Sequence, residues 1–135
     1  IVMAPGVVIV THYRLGEEFL QALRLIVPDA PPFQAVSIDP KQSVDEMREA
    51  IADALRRAGG EGVLILTDMF GGTPSNMVLP FAGEDIEVVT GVNLPMLIKL
   101  TTVREGDLME VARVIREQGK GAIYVASEVL EKKGA

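Results

Sequence analysis

Hydrophobic positions along the chain alternate between two kinds of pattern. Residues 6–10 (Gly-Val-Val-Ile-Val), 62–66 (Gly-Val-Leu-Ile-Leu) and 86–89 (Ile-Glu-Val-Val) are short and rich in β-branched or aliphatic side chains. Such runs predict strands buried on both faces of a sheet. Residues 33–38 mix apolar and polar positions, and Ala122-Ile123-Tyr124-Val125 forms a further short run. Both read as strands nearer the sheet edges. Between the runs the period lengthens to that of a helix, with stripes of Leu15, Phe19, Leu23 and Ile26, then Val44, Met47, Ile51 and Leu55. Ser43-Val44-Asp45-Glu46 has capping-box spacing, and Gly59-Gly60 closes that helix. Asp107 before Leu108, Val111, Ala112 and Ile115, with Gly119 after them, marks a last helix.

Strand and helix in alternation predict an α/β fold: a doubly wound, mostly parallel sheet with helices on both faces. In such folds ligands collect at the carboxyl ends of the strands, where the connections diverge. The length of 135 residues fits a single domain spanning 1–135, and 48% hydrophobic residues supply one aliphatic core. No linker or internal repeat divides the chain.

Charge and composition narrow the chemistry. A formal net charge of −6 argues against nucleic acid, which calls for clustered Lys and Arg, and would favour a basic protein partner. Cysteine is absent, which removes disulfides, thiolate metal ligands and thiol nucleophiles. One histidine with scattered carboxylates does not make a zinc site, so no metal is expected. No signal core and no membrane-length apolar run is present, so the expected location is cytoplasmic, without membrane insertion. The chain opens on Ile1 and Val2, which makes Met3 a candidate start.

The candidate chemistry sits at two strand ends. His12 follows the first apolar run and Asp68 follows the third, and in a doubly wound sheet those two strands are commonly neighbours. A carboxylate that accepts one imidazole N–H fixes the tautomer and stabilises imidazolium, leaving the other nitrogen as a nucleophile. Asp68 is thus the expected orienter of His12. After it runs Met69-Phe70-Gly71-Gly72-Thr73-Pro74-Ser75-Asn76, read as a turn into a helix with Thr73 as N-cap and Pro74 at the first helical position. Amides at such a start bind an anion without Lys or Arg, which makes Gly71, Gly72, Thr73 and Ser75 candidate phosphate-binding residues. The glycine spacing and the missing Lys exclude a nucleotide P-loop. Asn93 and Pro95 repeat the punctuation after the fourth run, where cap and substrate contact are equally compatible readings. A receiver domain phosphorylated on Asp68 is disfavoured, because Thr11-His12 stands where its acidic pair belongs.

Together, Thr11-His12, Asp68 with Gly71-Gly72-Thr73-Pro74-Ser75-Asn76, and Gly91-Val92-Asn93-Leu94-Pro95-Met96 resemble the mannose-family enzyme IIA domain of the bacterial phosphoenolpyruvate-dependent sugar phosphotransferase system. A related phosphocarrier of dihydroxyacetone kinase is the lesser match. The resemblance implies that His12 accepts a phosphoryl group from HPr and gives it to a IIB component in sugar uptake, with Asp68 beside the imidazole and no cofactor. It also implies a homodimer in which an antiparallel C-terminal edge strand, around residues 121–127, is exchanged between subunits. A regulatory module whose phosphorylation state is read without onward transport remains the alternative. Where the family often has small residues after the histidine, this chain has Tyr13 and Arg14; Arg14 is expected to keep its head in solvent or a surface ion pair. Pro80 is expected to end the helix after Thr73 early.

Overall fold

The computed structural model describes residues 4–103 and 106–134; the candidate start Met3 lies outside them. In chain order the elements are β1 (Gly6–His12), α1 (Leu15–Ile26), β2 (Gln34–Ile38), α2 (Val44–Ala58), β3 (Val63–Thr67), α3 (Gly72–Val78), a 3-10 turn (Leu79–Phe81), β4 (Ile86–Thr90), α4 (Leu94–Thr102), α5 (Leu108–Gly121) and α6 (Ala126–Gly134). The strands form one sheet in the order β2-β1-β3-β4, and every pairing is parallel. Among the described residues no helix is long and apolar enough to cross a membrane.

Alternation along the central strands divides the core. Val7 and Ile9 of β1 and Leu64 and Leu66 of β3 face α1, α4 and α5, where they meet Leu20, Leu23, Met96, Leu97, Val111 and Ile115. Val8, Val10 and Ile65 face the other way, onto Met47, Ile51 and Ala54 of α2 and Val78 of α3. Helices therefore cover both faces, as the alternating pattern predicts. The capping box forms as read: Ser43 Oγ accepts from Glu46 N at 3.1 Å while Glu46 Oε1 accepts from Ser43 N at 3.0 Å. Asp107 caps α5 by accepting from Glu110 N at 2.8 Å.

Several expectations shift. The buried face of α1 is Gly16, Leu20 and Leu23, whereas Leu15 and Ile26 are exposed. Gly16 sets that rotation: a Cβ there would lie 3.2 Å from Thr11 Oγ1 and 3.4 Å from Ile9, so the helix packs backbone-first against β1. β4 is not buried on both faces; as the sheet edge it is half-buried throughout. α5 runs past Gly119 to Gly121, because that glycine packs inside the fold against Met96 rather than ending the helix. Among the described residues Ala122–Val125 pairs with no strand: Ala122 N and Ile123 N donate back to Gly119 O and Lys120 O, and Val125 O accepts from Glu128 N to start α6. Ile123, Tyr124 and Val125 are consequently exposed. α3 stops at Val78 and tightens into the 3-10 turn at Pro80, as a ring without an N–H requires.

Candidate functional site

β1 and β3 end in the same local device. Thr11 and Thr67 are fully buried, and each hydroxyl donates to a carbonyl two residues on: Thr11 Oγ1 to Tyr13 O and Thr67 Oγ1 to Met69 O, both at 3.3 Å. These bonds turn the backbone out of the sheet and present the residue between, His12 in one case and Asp68 in the other. Thr11 Oγ1 also accepts from Gly16 N at 2.7 Å, which ties the start of α1 to the turn. Tyr13 N donates to Ile38 O at 2.8 Å, anchoring the turn to β2. Tyr13 has φ 47°, the one non-glycine residue with positive φ among those described.

The strand order places the two presented residues side by side. Asp68 Oδ2 accepts from His12 N at 3.0 Å and from His12 Nδ1 at 2.8 Å. An ionised carboxylate only accepts, so the shared proton belongs to Nδ1 and the lone pair of the neutral ring to Nε2. The imidazole is half-exposed at 49% while the carboxylate retains 12%. Burial pushes the Asp68 carboxyl upward; the hydrogen bonds from the His12 amide and ring, with the ring's charge, outweigh it and hold the group below the usual carboxylate range.

The far edge of the ring meets the glycine turn. A Cβ built on Gly72 would lie 3.1 Å from His12 Cε1 and 3.3 Å from Nε2, so only glycine leaves this approach open. Gly71 and Gly72 both have positive φ, 83° and 81°. The expected N-cap at Thr73 is not there: the cap position is Gly71, helical hydrogen bonding starts at Gly72, and no side chain caps α3. The two left-handed glycines bring the chain into the helix ahead of Thr73 and so displace it from the cap. Ser75 is fully buried, and neither its Oγ nor Asp68 Oδ1 has a hydrogen-bond partner among the described residues.

Asn93 is a cap: its Oδ1 accepts from Met96 N at 3.1 Å and its Nδ2 donates to Gly119 O at 3.2 Å. Arg14 pairs with Glu17 and Glu18 at 3.5 and 3.4 Å at the surface, as expected. Among the described residues no group of His, Asp and Glu could hold a metal ion. Beside the pair, Tyr13, the bulky departure from the family pattern, is 63% exposed, and Met69 and Phe70, to which the sequence assigned no role beyond the turn, are exposed by 53 and 76%. Large apolar residues immediately beside strand-end polar residues were the available signal.

Comparison with known proteins adds the family. The profile described as "PTS system fructose IIA component" matches residues 6–116. The chain is 34% identical to the PTS system fructose-specific EIIA component of Bacillus subtilis over 67% of its own length and 65% of that protein's. It is 29% identical to the sorbose-specific EIIA component of Lacticaseibacillus casei over 70% of each. The mannose/sorbose specific IIA subunit of the phosphotransferase system from Enterococcus faecalis superposes with a TM-score of 0.81 at 27% identity, covering 91% of this chain and 95% of that one. With its strand-end histidine, its glycine turn and a profile match over most of its length, the chain belongs to the mannose- and fructose-type enzyme IIA family of the sugar phosphotransferase system.

Proposed function

We propose that this chain is a phosphoryl carrier of the sugar phosphotransferase system, with Nε2 of His12 as the acceptor atom. The observation that carries the reading is the division of the imidazole: Nδ1 is held by Asp68 at 2.8 Å, while Nε2 is left on the side of Gly72, 3.3 Å from where a Cβ would stand. In transfer, the Nε2 lone pair attacks the phosphorus of a donor phosphohistidine on HPr, a new N–P bond forms, and the donor's N–P bond breaks. The donor leaves as a neutral imidazole, its electron pair returning to the nitrogen. The Nδ1 proton stays between His12 and Asp68, so no proton is gained or lost. Asp68 acts by orientation and by stabilising the positive charge that the ring acquires as the bond forms.

The phosphoryl oxygens are assigned to the uncapped start of α3, with Gly71, Gly72 and Thr73 supplying amides and the Ser75 hydroxyl lying behind them. The support is that this helix start lacks a side-chain cap and its second glycine touches the reactive edge of the ring. A IIB component then takes the group by the reverse chemistry. No cofactor is required, and the location is cytoplasmic. The whole chain acts as one domain. Exchange of residues 121–127 onto the edge of a second subunit's sheet, giving a homodimer, is supported by exposed Ile123, Tyr124 and Val125 and by the open edge of β4.

Incubation with enzyme I, HPr and phosphoenolpyruvate tests the reading by intact-mass spectrometry. The expected result is one acid-labile phosphoryl group on the native chain and none on His12→Ala. Labelling of His12→Ala equal to that of the native chain would exclude His12.

A further inference from the structure

We infer that Tyr13, with Met69 and Phe70, forms an apolar collar around His12 on which the protein phosphoryl donor docks; this rests on the phosphocarrier reading above. The first support is a cost with no internal return. Tyr13 takes φ 47°, a region L side chains enter only at an energetic penalty, and burial of the ring does not offset it here, since Tyr13 is 63% exposed. The conformation is fixed from both sides. Tyr13 N is bound to Ile38 O at 2.8 Å and Tyr13 O to Thr11 Oγ1 at 3.3 Å. A glycine would meet the same backbone requirement without strain. Strain held by surrounding structure, at a residue adjoining a reactive side chain, points to a role for the side chain itself.

The second support is position. Tyr13 follows His12 directly, and Met69 and Phe70 follow Asp68, so each member of the hydrogen-bonded pair is succeeded in the chain by large exposed apolar side chains. Exposed apolar side chains gathered beside a reactive group mark a contact surface. The occupant follows from the chemistry. The ring of His12 is half-exposed at the protein surface, and a phosphoryl group carried on another protein reaches Nε2 only if that protein's own reactive residue approaches within bonding distance. Any such donor must cover the residues adjoining His12. The net charge of −6 selects a donor with a basic face, and exposed aromatic side chains are the usual anchors of a small interface.

Rapid-mixing transfer from phosphorylated HPr, with the concentration of this chain varied, separates docking from chemistry. Tyr13→Gly is safe for folding because glycine favours the observed backbone, and its unfolding midpoint should hold or rise by a few degrees. Its half-saturating concentration should rise roughly five- to tenfold with the limiting rate within about twofold. Phe70→Ala should act in the same direction, while Leu25→Ala, an exposed position at the far end of α1, should match the native chain. An unchanged half-saturating concentration in both collar variants, or a fall in limiting rate alone, overturns the docking role and leaves the carrier reading standing. Failure of the native chain to accept any phosphoryl group overturns both.

Discussion

β3 and β4 are parallel neighbours, and each leads through a glycine turn into a helix with proline near its start, yet the two turns are finished in opposite ways. After β4, Gly91 N and Val92 N both donate to Thr67 O at 2.9 and 3.0 Å, and Asn93 caps α4 through Met96 N. The Asn93 amide then ties this start to α5 at Gly119. After β3, α3 begins without a side-chain cap, and Gly72 lies against the reactive edge of His12. A side-chain cap and a bound anion compete for the same free amides. The capped turn spends them on the fold, and the uncapped one keeps them beside the nucleophile. Similar sequence punctuation therefore yields one structural joint and one candidate binding site.

The sharpest way to break that contrast is to add one carbon to each turn. Gly72→Ala introduces a Cβ at 3.1 Å from His12 Cε1 on a backbone with φ 81°, so the ring or the turn must move. Displacement of a reacting group by a fraction of an ångström to an ångström costs on the order of 100-fold in rate. Gly91→Ala suffers the backbone penalty alone, since φ is 86° and nothing lies within 4 Å of the added carbon. Its transfer rate should stay within about twofold of the native chain while stability falls by about 1–2 kcal/mol. Stopped-flow transfer and thermal unfolding on both variants check the pair, and equal rate losses would refute the contrast.

Asp68→Asn comes next in size. An amide oxygen can still accept from His12 N and Nδ1, so the fold and the ring orientation should survive, but the charge that stabilises imidazolium is gone. The expected loss is about ten- to a hundredfold in transfer rate, smaller than the roughly 10⁴-fold of an amide replacement that flips the tautomer, because the His12 amide holds the amide oxygen beside Nδ1. The pH dependence has a definite sign. The native carboxyl is held below its ordinary range, so its contribution to stability is complete above the unfolded-state carboxylate range and is lost as pH falls through the lowered value. Acid unfolding curves should therefore show a carboxylate-linked loss in the native chain that Asp68→Asn lacks. Superimposable curves would remove Asp68 from the linkage.

The contrast between the turns was only half legible in the sequence. His12 and Asp68 could be found because each stands one threonine beyond an apolar run, and the parallel β1–β3 pairing brings them together. Capping by Ser43, Asp107 and Asn93 was equally local, since a cap is written within four residues. Thr73 looks like Asn93 in that local grammar, but two glycines with positive φ shift the helix start ahead of it, and backbone handedness carries no hydropathy signal. The buried face of α1 was missed for a related reason: Gly16 is selected for closeness to Thr11 and adds nothing to an apolar stripe. At Ala122–Val125 the apolar run predicts a strand, yet strand formation needs a pairing edge, and among the described residues the segment takes neither open edge of its own sheet but closes α5 and opens α6 instead. Such an edge is a property of topology and assembly rather than of a short window.

Asn93→Ala completes the contrast from the capped side and carries the smallest effect on chemistry. Removing the side chain frees Met96 N and Gly119 O together, two partners that lie on different helices. Loss of an N-cap alone costs about 1 kcal/mol, and the second bond belongs to the joint between α4 and α5. The unfolding free energy should fall by about 1–2 kcal/mol in a denaturant titration with unchanged slope. The transfer rate should remain within about twofold of native, because the bonds lost join α4 to its cap and to α5 and none of them involves His12 or Asp68. A large rate loss with little loss of stability would mean that the β4 turn belongs to the phosphoryl site after all, and that its cap does not set it apart from the turn at Gly72.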